Sequence, residues 1–170
     1  MLFDTHLHLI YPDILRYPWL DKVDLLNKPS RYEDYHTKAS RLGINACLHM
    51  EVDVGENQIK EETMMLHNLI ENNDTIIRGV ISSCRPEKNN FQDMIQYADS
   101  QRLIKGFRRV LHVAPDNTAG SDQFKNNIKL LSNTMLTFDL CAFPHQNPEI
   151  MELIDFCPKV TFILDHCGVP

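Results

Sequence analysis

The chain has 170 residues, a formal net charge of -6, and 43% hydrophobic and 24% charged residues. That length is enough for one domain with a sizeable core, and the composition is ordinary for a globular protein. The negative charge argues against a general nucleic-acid binder or a binder of acidic membranes, and no apolar run reaches the roughly 18 residues that a membrane helix needs.

Six short runs rich in Val, Ile, Leu and Phe predict six strands. In chain order they are MLFDTHLHL at the start, INACLHMEV from Ile44, TIIRGVISS from Thr75, LIKGFRRVL from Leu103, MLTFDLCAF from Met135 and VTFILDH from Val160. Apolar stripes with the spacing of one helix face separate most of them and predict helices. These stripes lie at residues 32–42, 59–70, 91–98, 124–131 and 150–157. The alternation, repeated at intervals of roughly 25 to 40 residues, predicts βαβ units and a parallel sheet.

One segment interrupts this alternation. Residues 10–30 contain three prolines and the only tryptophan, and they are too long for an ordinary turn between a strand and a helix. We expect a functional loop over the carboxyl end of the first strand. No GxGxxG or GxxxxGK[ST] follows that strand, which disfavours a nucleotide-binding open sheet. A (β/α)8 barrel remains, although six βα units are too few to close eight strands.

The N-terminus and the cysteines predict a reduced, cytoplasmic protein. The opening residues, MLFDTHLH, lack the basic region and apolar stretch of a secretion signal. The five cysteines are an odd number without a CxxC pair, which is not a disulfide framework. Cys47, Cys141 and Cys167 lie in or beside apolar runs, where we expect each to be a small buried hydrophobe.

Polar side chains gather where the first two strands end, which is where barrel enzymes place their active sites. Alternation puts His6 and His8 on one face of the first strand, with Leu7 on the other. Two imidazoles so spaced can bind one metal ion, although strand capping or bonds to backbone explain the same pattern. Glu51 shares a face with His49 at the end of the second strand, where it lines a pocket or lies on a solvated rim.

The later strands add charged candidates. Arg108 and Arg109 point to opposite faces, so only one can face a barrel interior, where it binds an anionic group of a substrate or an internal carboxylate. Asp139, in the middle of an apolar run, needs a bonded partner. Asp165 and His166 are adjacent, and we expect His166 to face the pocket and Asp165 to pack outward.

Together these segments resemble the amidohydrolase superfamily, and within it the amidohydrolase 2 branch, which includes lactonases of sugar acids and dicarboxylates. The similar segments are FDTHLHL, YPWL, GFRRVLH, FDLCAFPHQ and TFILDHCGVP, along essentially the whole chain. The resemblance implies an α/β fold of the (β/α)8 TIM-barrel type with about six βα units. Residues 1–170 would form one domain, the N-terminal two-thirds of the barrel, with an active-site loop at 10–30. The family's stretch resembling GSDWP, which carries the general-base aspartate of the eighth strand, is absent, so the chain resembles a barrel truncated at its C-terminus.

The resemblance also implies roles for individual residues. It makes His6, His8 and His166 catalytic, and makes the same three the ligands if one divalent metal, often zinc, is used; a metal-free mechanism is the alternative. Tyr17 and Trp19 of the first loop are implied to enclose the substrate. Either Arg108 or Arg109 is predicted to hold an acidic or carbonyl group of the substrate. Glu51 and His145, at strand ends, are further predicted substrate contacts.

The implied activity is hydrolysis of a lactone of a small sugar acid or dicarboxylate by water attack, weak or absent if the protein ends at residue 170. The alternatives are metal-dependent decarboxylation of a cyclic acid, and a non-catalytic partial barrel that assembles with itself or with a partner fragment. The expected partner is a small molecule, either a lactone or a cyclic acid, rather than nucleic acid or a membrane. Self-association through exposed barrel edges is a further expectation.

Overall fold

The computed structural model describes residues 2–169, in which strands and helices alternate. The strands are β1 (Leu2–Leu7), β2 (Ile44–Met50), β3 (Ile77–Ser83), β4 (Ile104–Val110), β5 (Thr137–Cys141) and β6 (Thr161–Leu164). The helices are α1 (Tyr32–Arg41), α2 (Ile59–Asn72), α3 (Phe91–Ser100), α4 (Asp122–Lys129) and α5 (Asn147–Phe156). Each predicted strand and helix is confirmed, and the strands are shorter than the apolar runs that predicted them.

The chain divides into two compact units, Met1–Ser83 and Cys84–Pro170. In the first unit β1 pairs with β2 and β2 with β3, and all three strands are parallel. In the second unit β4 pairs with β5 and β5 with β6, again in parallel. Parallel neighbours joined through a helix are the repeating unit of a (β/α)8 barrel, so the predicted α/β class and its βα repeat are confirmed. A single domain over 1–170 stays a prediction.

The apolar stripes predicted from the sequence form the buried sides of the helices in the first unit. In α2, Ile59 and Leu66 are buried, and the hydroxyl of Thr63 hydrogen-bonds that of Ser82 at 3.0 Å. The one polar residue in this stripe is therefore satisfied, as a buried hydroxyl must be. In α1 the stripe ends early, because Leu42 follows the last helical residue and is exposed.

Aromatic packing forms much of the core of the second unit. Phe91 of α3 packs against Phe107 of β4 with ring centroids 5.6 Å apart. Phe124 of α4 meets Phe138 of β5 edge to face at 5.9 Å. All four rings are fully buried. Such pairs add stability beyond the area that they bury.

A pair of backbone hydrogen bonds closes the predicted loop at its base. The N–H of Ile10 donates to the carbonyl of Ser30 at 2.9 Å, and the N–H of Ser30 donates back at 3.0 Å. Within the loop, Pro18–Lys22 form a short 3-10 helix. The segment at 10–30 is therefore a loop whose two ends are hydrogen-bonded to each other. Its role in an active site stays a prediction.

Tyrosine hydroxyls fasten this loop to the rest of the first unit. The hydroxyl of Tyr17 accepts from the N–H of Tyr11 at 3.0 Å, and the hydroxyl of Tyr11 accepts from the N–H of Tyr32 at 3.2 Å. The hydroxyl of Tyr32 in turn accepts from the N–H of Ile76, just before β3, at 2.9 Å. Each bond satisfies a backbone donor that no strand or helix pairs.

All five cysteines are reduced thiols, and four of them are buried: Cys47, Cys84, Cys141 and Cys157. The prediction of burial was wrong for Cys167, which is exposed because it lies in the turn after β6 rather than in a strand. Within residues 2–169, none of the helices combines the length and the apolar character that crossing a bilayer requires.

Candidate active site

His6 and His8 lie side by side at the carboxyl end of β1. Their ring centroids are 4.9 Å apart and the ring planes are nearly perpendicular, at 84°. Both side chains are half-buried, whereas Leu7 between them is buried. The expected alternation therefore holds at the end of the strand. The two imidazoles lie on the same face and contact each other.

An irregularity in the register of β1 lies between Asp4 and Leu7 and therefore includes His6. Between Asp4 and Leu7 the strand advances three residues while β2 advances two. Asp4 Oδ1 accepts from the N–H of His6 at 3.0 Å, and Oδ2 accepts from the hydroxyl of Tyr35 on α1 at 3.0 Å. One carboxylate thus joins the irregular strand to the neighbouring helix. Such irregularities commonly re-aim a side chain near a site.

A backbone carbonyl fixes the tautomer of the neutral His8 ring. Its Nδ1 lies 3.0 Å from the carbonyl oxygen of Met50, at the end of β2. A carbonyl oxygen can only accept, so Nδ1 carries the hydrogen. In the neutral ring Nε2 is then the nitrogen with the lone pair, and it can ligate a metal or accept a hydrogen bond.

His49 has the same neutral tautomer as His8, but its other ring nitrogen contacts the backbone. It is fully buried, and its Nε2 accepts from the N–H of Leu9 at 3.4 Å, which leaves the hydrogen of the neutral ring on Nδ1. This hydrogen bond therefore holds the backbone that follows β1 against the side chain of His49.

The residues after β2 bring two predicted substrate contacts near each other. Glu51 is fully buried, and its Oε2 accepts from the N–H of Asp53 at 2.7 Å. The indole N–H of Trp19 donates to the carbonyl of Val52 at 2.8 Å, which ties the loop to the end of β2. Tyr17, in the same loop, is buried, and burial raises the pKa of its hydroxyl to about 12. The contacts of Tyr17, Trp19 and Glu51 with a substrate stay predictions.

In the second unit, Arg108 forms a buried ion pair. Its Nη1 lies 3.3 Å from Oδ2 of Asp165, and both side chains are almost fully excluded from solvent. Asp139 is in register with Arg108 on the adjacent strand and is only 4% exposed. Burial, with the nearby Asp165 carboxylate, raises the pKa of Asp139 to about 7, although the hydroxyl of Thr137 and Arg108 act in the other direction. Asp165 therefore pairs with the guanidinium of Arg108, and Asp139 lies near enough for both charges to act on its pKa.

Arg109 forms a separate ion pair. Its Nε and Nη2 donate to Oε1 of Glu87 at 3.0 and 2.8 Å, and its Nη1 donates to the carbonyl of Val110. Glu87 lies in the turn between β3 and α3. Both arginines thus pair with carboxylates of the protein, as the alternative of an internal ion pair predicted. The assignment of Arg108 or Arg109 to a substrate group stays a prediction.

The expected orientation of Asp165 was wrong. Strand β6 ends at Leu164, and Asp165–Cys167 form a short turn in which His166 and Cys167 have φ values of +56° and +57°. Strand alternation does not apply to left-handed residues, which are uncommon outside glycine and often mark functional sites. Asp165 is buried against Arg108, whereas His166 is exposed. The catalytic and metal-binding roles of His166 stay predictions.

His145 lies in the 3-10 turn Pro144–Gln146 after β5 and is exposed. Its ring stacks on Phe143 with centroids 5.7 Å apart. Nothing in this contact points to a substrate, so the predicted role of His145 stays a prediction.

Sequence reasoning missed three groups that organise these sites: the carbonyl of Met50, the carboxylate of Glu87 and the inward position of Asp165. A backbone carbonyl leaves no signal in the sequence. Glu87 and Asp165 are 22 and 57 residues from their arginine partners. The signal available was the need of each buried guanidinium for an anion.

A family profile described as Amidohydrolase matches residues 3–170. This chain belongs to the amidohydrolase family. The resemblance drawn from its motifs is therefore confirmed. Among curated proteins, the uncharacterized protein y4mH of Sinorhizobium fredii is 21% identical over 186 residues, which cover 99% of this chain and 62% of that protein.

Two solved structures show the same fold. An amidohydrolase from Burkholderia multivorans with bound zinc has a TM-score of 0.81 and 19% identity, over 99% of this chain and 58% of that one. A probable 2-pyrone-4,6-dicarboxylic acid hydrolase from Acinetobacter baumannii, with citric acid bound, has a TM-score of 0.62 and 14% identity, over 96% of this chain and 57% of that one. The amidohydrolase chain described here spans 57% to 62% of the lengths of these three relatives and has the fold of a partial TIM barrel.

The pair of histidines on β1 fits a divalent metal. Zinc and related ions favour neutral imidazole nitrogens, and a ligating histidine commonly donates its other N–H to a carbonyl. His8 meets that condition through Met50, and the ring of His6 lies beside it. These two residues would contribute to a metal site from the first unit.

Proposed function

We propose that this amidohydrolase opens a lactone of a small sugar acid or dicarboxylate by the attack of water. Family membership supports hydrolysis, and the likeness to a probable 2-pyrone-4,6-dicarboxylic acid hydrolase supports a cyclic ester as the substrate. The observation that carries the proposal is the pair His6 and His8, with His8 oriented by the carbonyl of Met50.

The tautomer of His8 favours one of the two mechanisms expected from the sequence. In a metal-free mechanism the histidines donate hydrogen bonds to the carbonyl oxygen of the substrate, as an oxyanion hole does. Neutral His8 has its hydrogen on Nδ1, facing Met50, so its Nε2 cannot donate. The same Nε2 can ligate a metal or accept a hydrogen from water. The geometry of His8 therefore supports the metal-dependent alternative.

In the proposed site His6 and His8, at the carboxyl end of β1, are metal ligands. A bound divalent ion supplies polarisation of the ester carbonyl and lowers the pKa of water. The carbonyl of Met50 orients the ring of His8 and, in the neutral ring, leaves the lone pair on Nε2. Trp19 shapes the loop beside this end of the sheet through its bond to Val52. A carboxylate would accept the proton of the attacking water.

The test measures zinc content and lactone opening in the same preparation. The 170-residue protein is loaded with zinc and dialysed, and bound metal is counted by elemental analysis. The open-chain acid released from sugar-acid lactones and from a pyrone dicarboxylate is then followed. We expect bound zinc and weak hydrolysis in the wild type, and loss of both in His8→Gln. His67→Gln, on the partly exposed side of α2, is the matched control and should keep both.

The outcomes separate the parts of the proposal. Equal zinc in His8→Gln and in the control would contradict the metal site. Bound zinc with release of carbon dioxide, rather than an open-chain acid, would establish the decarboxylase alternative. Bound zinc with turnover of amides or open-chain esters, but of no lactone, would contradict the proposed substrate class. A cytoplasmic location, proposed from the reduced cysteines, predicts that the protein fractionates with soluble cell contents.

A further inference from the structure

A thiol and an imidazole meet at the carboxyl ends of β4 and β5. Cys141, the last residue of β5, has its Sγ 3.5 Å from Nδ1 of His112. His112 lies in the 3-10 turn Leu111–Val113 that follows β4. Val110 is opposite Cys141 in the parallel register. His112 follows Val110 by two residues, and its side chain contacts Cys141 at the end of the neighbouring strand. The pair is formed entirely within the second unit.

A buried glutamine holds the two turns that carry this pair. Gln146 donates from Nε2 to the carbonyl of Leu111 at 3.1 Å, and its Oε1 accepts from the N–H of Phe143 at 2.9 Å. The ring of Phe143 packs on the ring of His112 with centroids 5.1 Å apart. The backbone on both sides of the thiol and the imidazole is thus clamped by one side chain, and the ring of His112 is fixed by its aromatic neighbour. Reactive groups need this kind of support from surrounding residues.

The other buried thiols of the second unit contact backbone carbonyl oxygens rather than an imidazole nitrogen. Cys84 Sγ donates to the carbonyl of Arg108 at 3.4 Å, and Cys157 Sγ donates to the carbonyl of Lys125 at 3.6 Å. A carbonyl oxygen cannot take up a proton at ordinary pH, so these contacts keep both sulfurs as neutral thiols. Burial also raises the pKa of Cys157. Cys141 is similarly buried, at 4% exposure, but it faces a nitrogen that can accept the proton.

We propose that Cys141 and His112 form a nucleophilic thiol–imidazole pair that adds to small α,β-unsaturated carbonyl compounds. His112 Nδ1 takes the proton of the thiol, and the sulfur forms a bond to the β-carbon of the alkene. The electrons of the double bond move into an enolate, and the proton on Nδ1 passes to the α-carbon. No group leaves and no oxidant is consumed. The arrangement is that of an activated cysteine with an adjacent base.

The test compares thiols within one molecule. Wild-type protein is treated with N-ethylmaleimide, a small activated alkene, and the extent of addition at each cysteine is read from peptide masses over time. At pH 6.5 we expect Cys141 to react roughly fivefold faster than Cys84 and Cys157. A neighbouring imidazole raises the fraction of thiolate more than it lowers the intrinsic nucleophilicity of the sulfur, which leaves a net gain of about this size. The ratio should fall as the pH rises above 9, because the thiols that face carbonyls then begin to ionise as well.

His112→Gln removes the base and keeps a polar side chain. We expect the ratio of Cys141 to Cys157 labelling to fall about fivefold at pH 6.5 and to become independent of pH. Global loosening of the variant would accelerate all buried thiols together and leave their ratio unchanged, so the ratio reports the imidazole. Equal labelling of the three buried thiols in the wild type overturns the proposal. So does a ratio that is the same in His112→Gln as in the wild type.

Discussion

Asp139→Asn tests the account of the buried carboxyl on β5. Asp139 lies beside Arg108 and Asp165, is almost fully buried, and has its pKa raised to about 7, chiefly by burial and then by the charge of Asp165. Two carboxylates opposite one guanidinium would leave an excess negative charge out of water, so one proton is retained. Asparagine has nearly the same shape and is neutral at every pH.

The sign of the effect follows from proton linkage. The ordinary pKa of an aspartate is 3.8, so the folded value of about 7 is raised. As the pH increases from about 4 to about 7, the unfolded chain releases the proton of Asp139 while the folded chain keeps it. The contribution of this group is complete below pH 4 and is lost as the pH rises through 7. The loss is 1.36 kcal/mol for each unit of pKa difference, about 4 kcal/mol in all.

The assay is urea unfolding of both proteins at pH 5, 6, 7 and 8. The free energy of unfolding of Asp139→Asn, minus that of the wild type, should increase with pH over this range, by an amount of the order of 3 kcal/mol. Asp155→Asn, which changes an exposed carboxylate on α5, is the control and should give a constant difference. A difference for Asp139→Asn that stays constant from pH 5 to pH 8, or decreases, would refute the reasoning.

Three further changes test the packing and the hydrogen bonds of the fold by the same unfolding measurement. Phe124→Ala empties a fully buried site and should cost about 3–5 kcal/mol. Tyr32→Phe leaves the N–H of Ile76 without the hydroxyl that accepts from it and should cost about 1–2 kcal/mol. Arg109→Met and Glu87→Gln, alone and together, should show a coupling energy of about 1–2 kcal/mol, because the two side chains form one ion pair at the edge of solvent.

Each of these has an outcome that contradicts it. Phe156→Ala, at an exposed position of α5, is the control for the core substitution and should cost far less than Phe124→Ala. A stability of Tyr32→Phe equal to that of the wild type would show that water replaces the hydroxyl. Strict additivity of the Arg109 and Glu87 substitutions would show that their ion pair contributes nothing to stability.

The strands and helices could be predicted because each depends on a local pattern. The stripe Phe91, Met94, Ile95 and Ala98 is buried along its whole length in α3, as its spacing required. The orientation of His6 and His8 was also predictable, because strand alternation acts over two residues. The same rule failed at Asp165, because β6 has ended there and a turn follows in which His166 and Cys167 are left-handed. No simple periodicity marks such a change of conformation.

The sequence by itself determined the βα alternation, the family and the paired histidines of β1, since these rest on periodicity and on motifs written in consecutive residues. Only the tertiary structure decided that Arg108 pairs with Asp165 and Arg109 with Glu87, that Met50 sets the tautomer of His8, and that Cys141 meets His112. The physical reason is that hydrogen bonds and ion pairs act over about 3 Å of space, whatever the separation along the chain. Their partners are fixed only when folded strands and turns bring distant residues together.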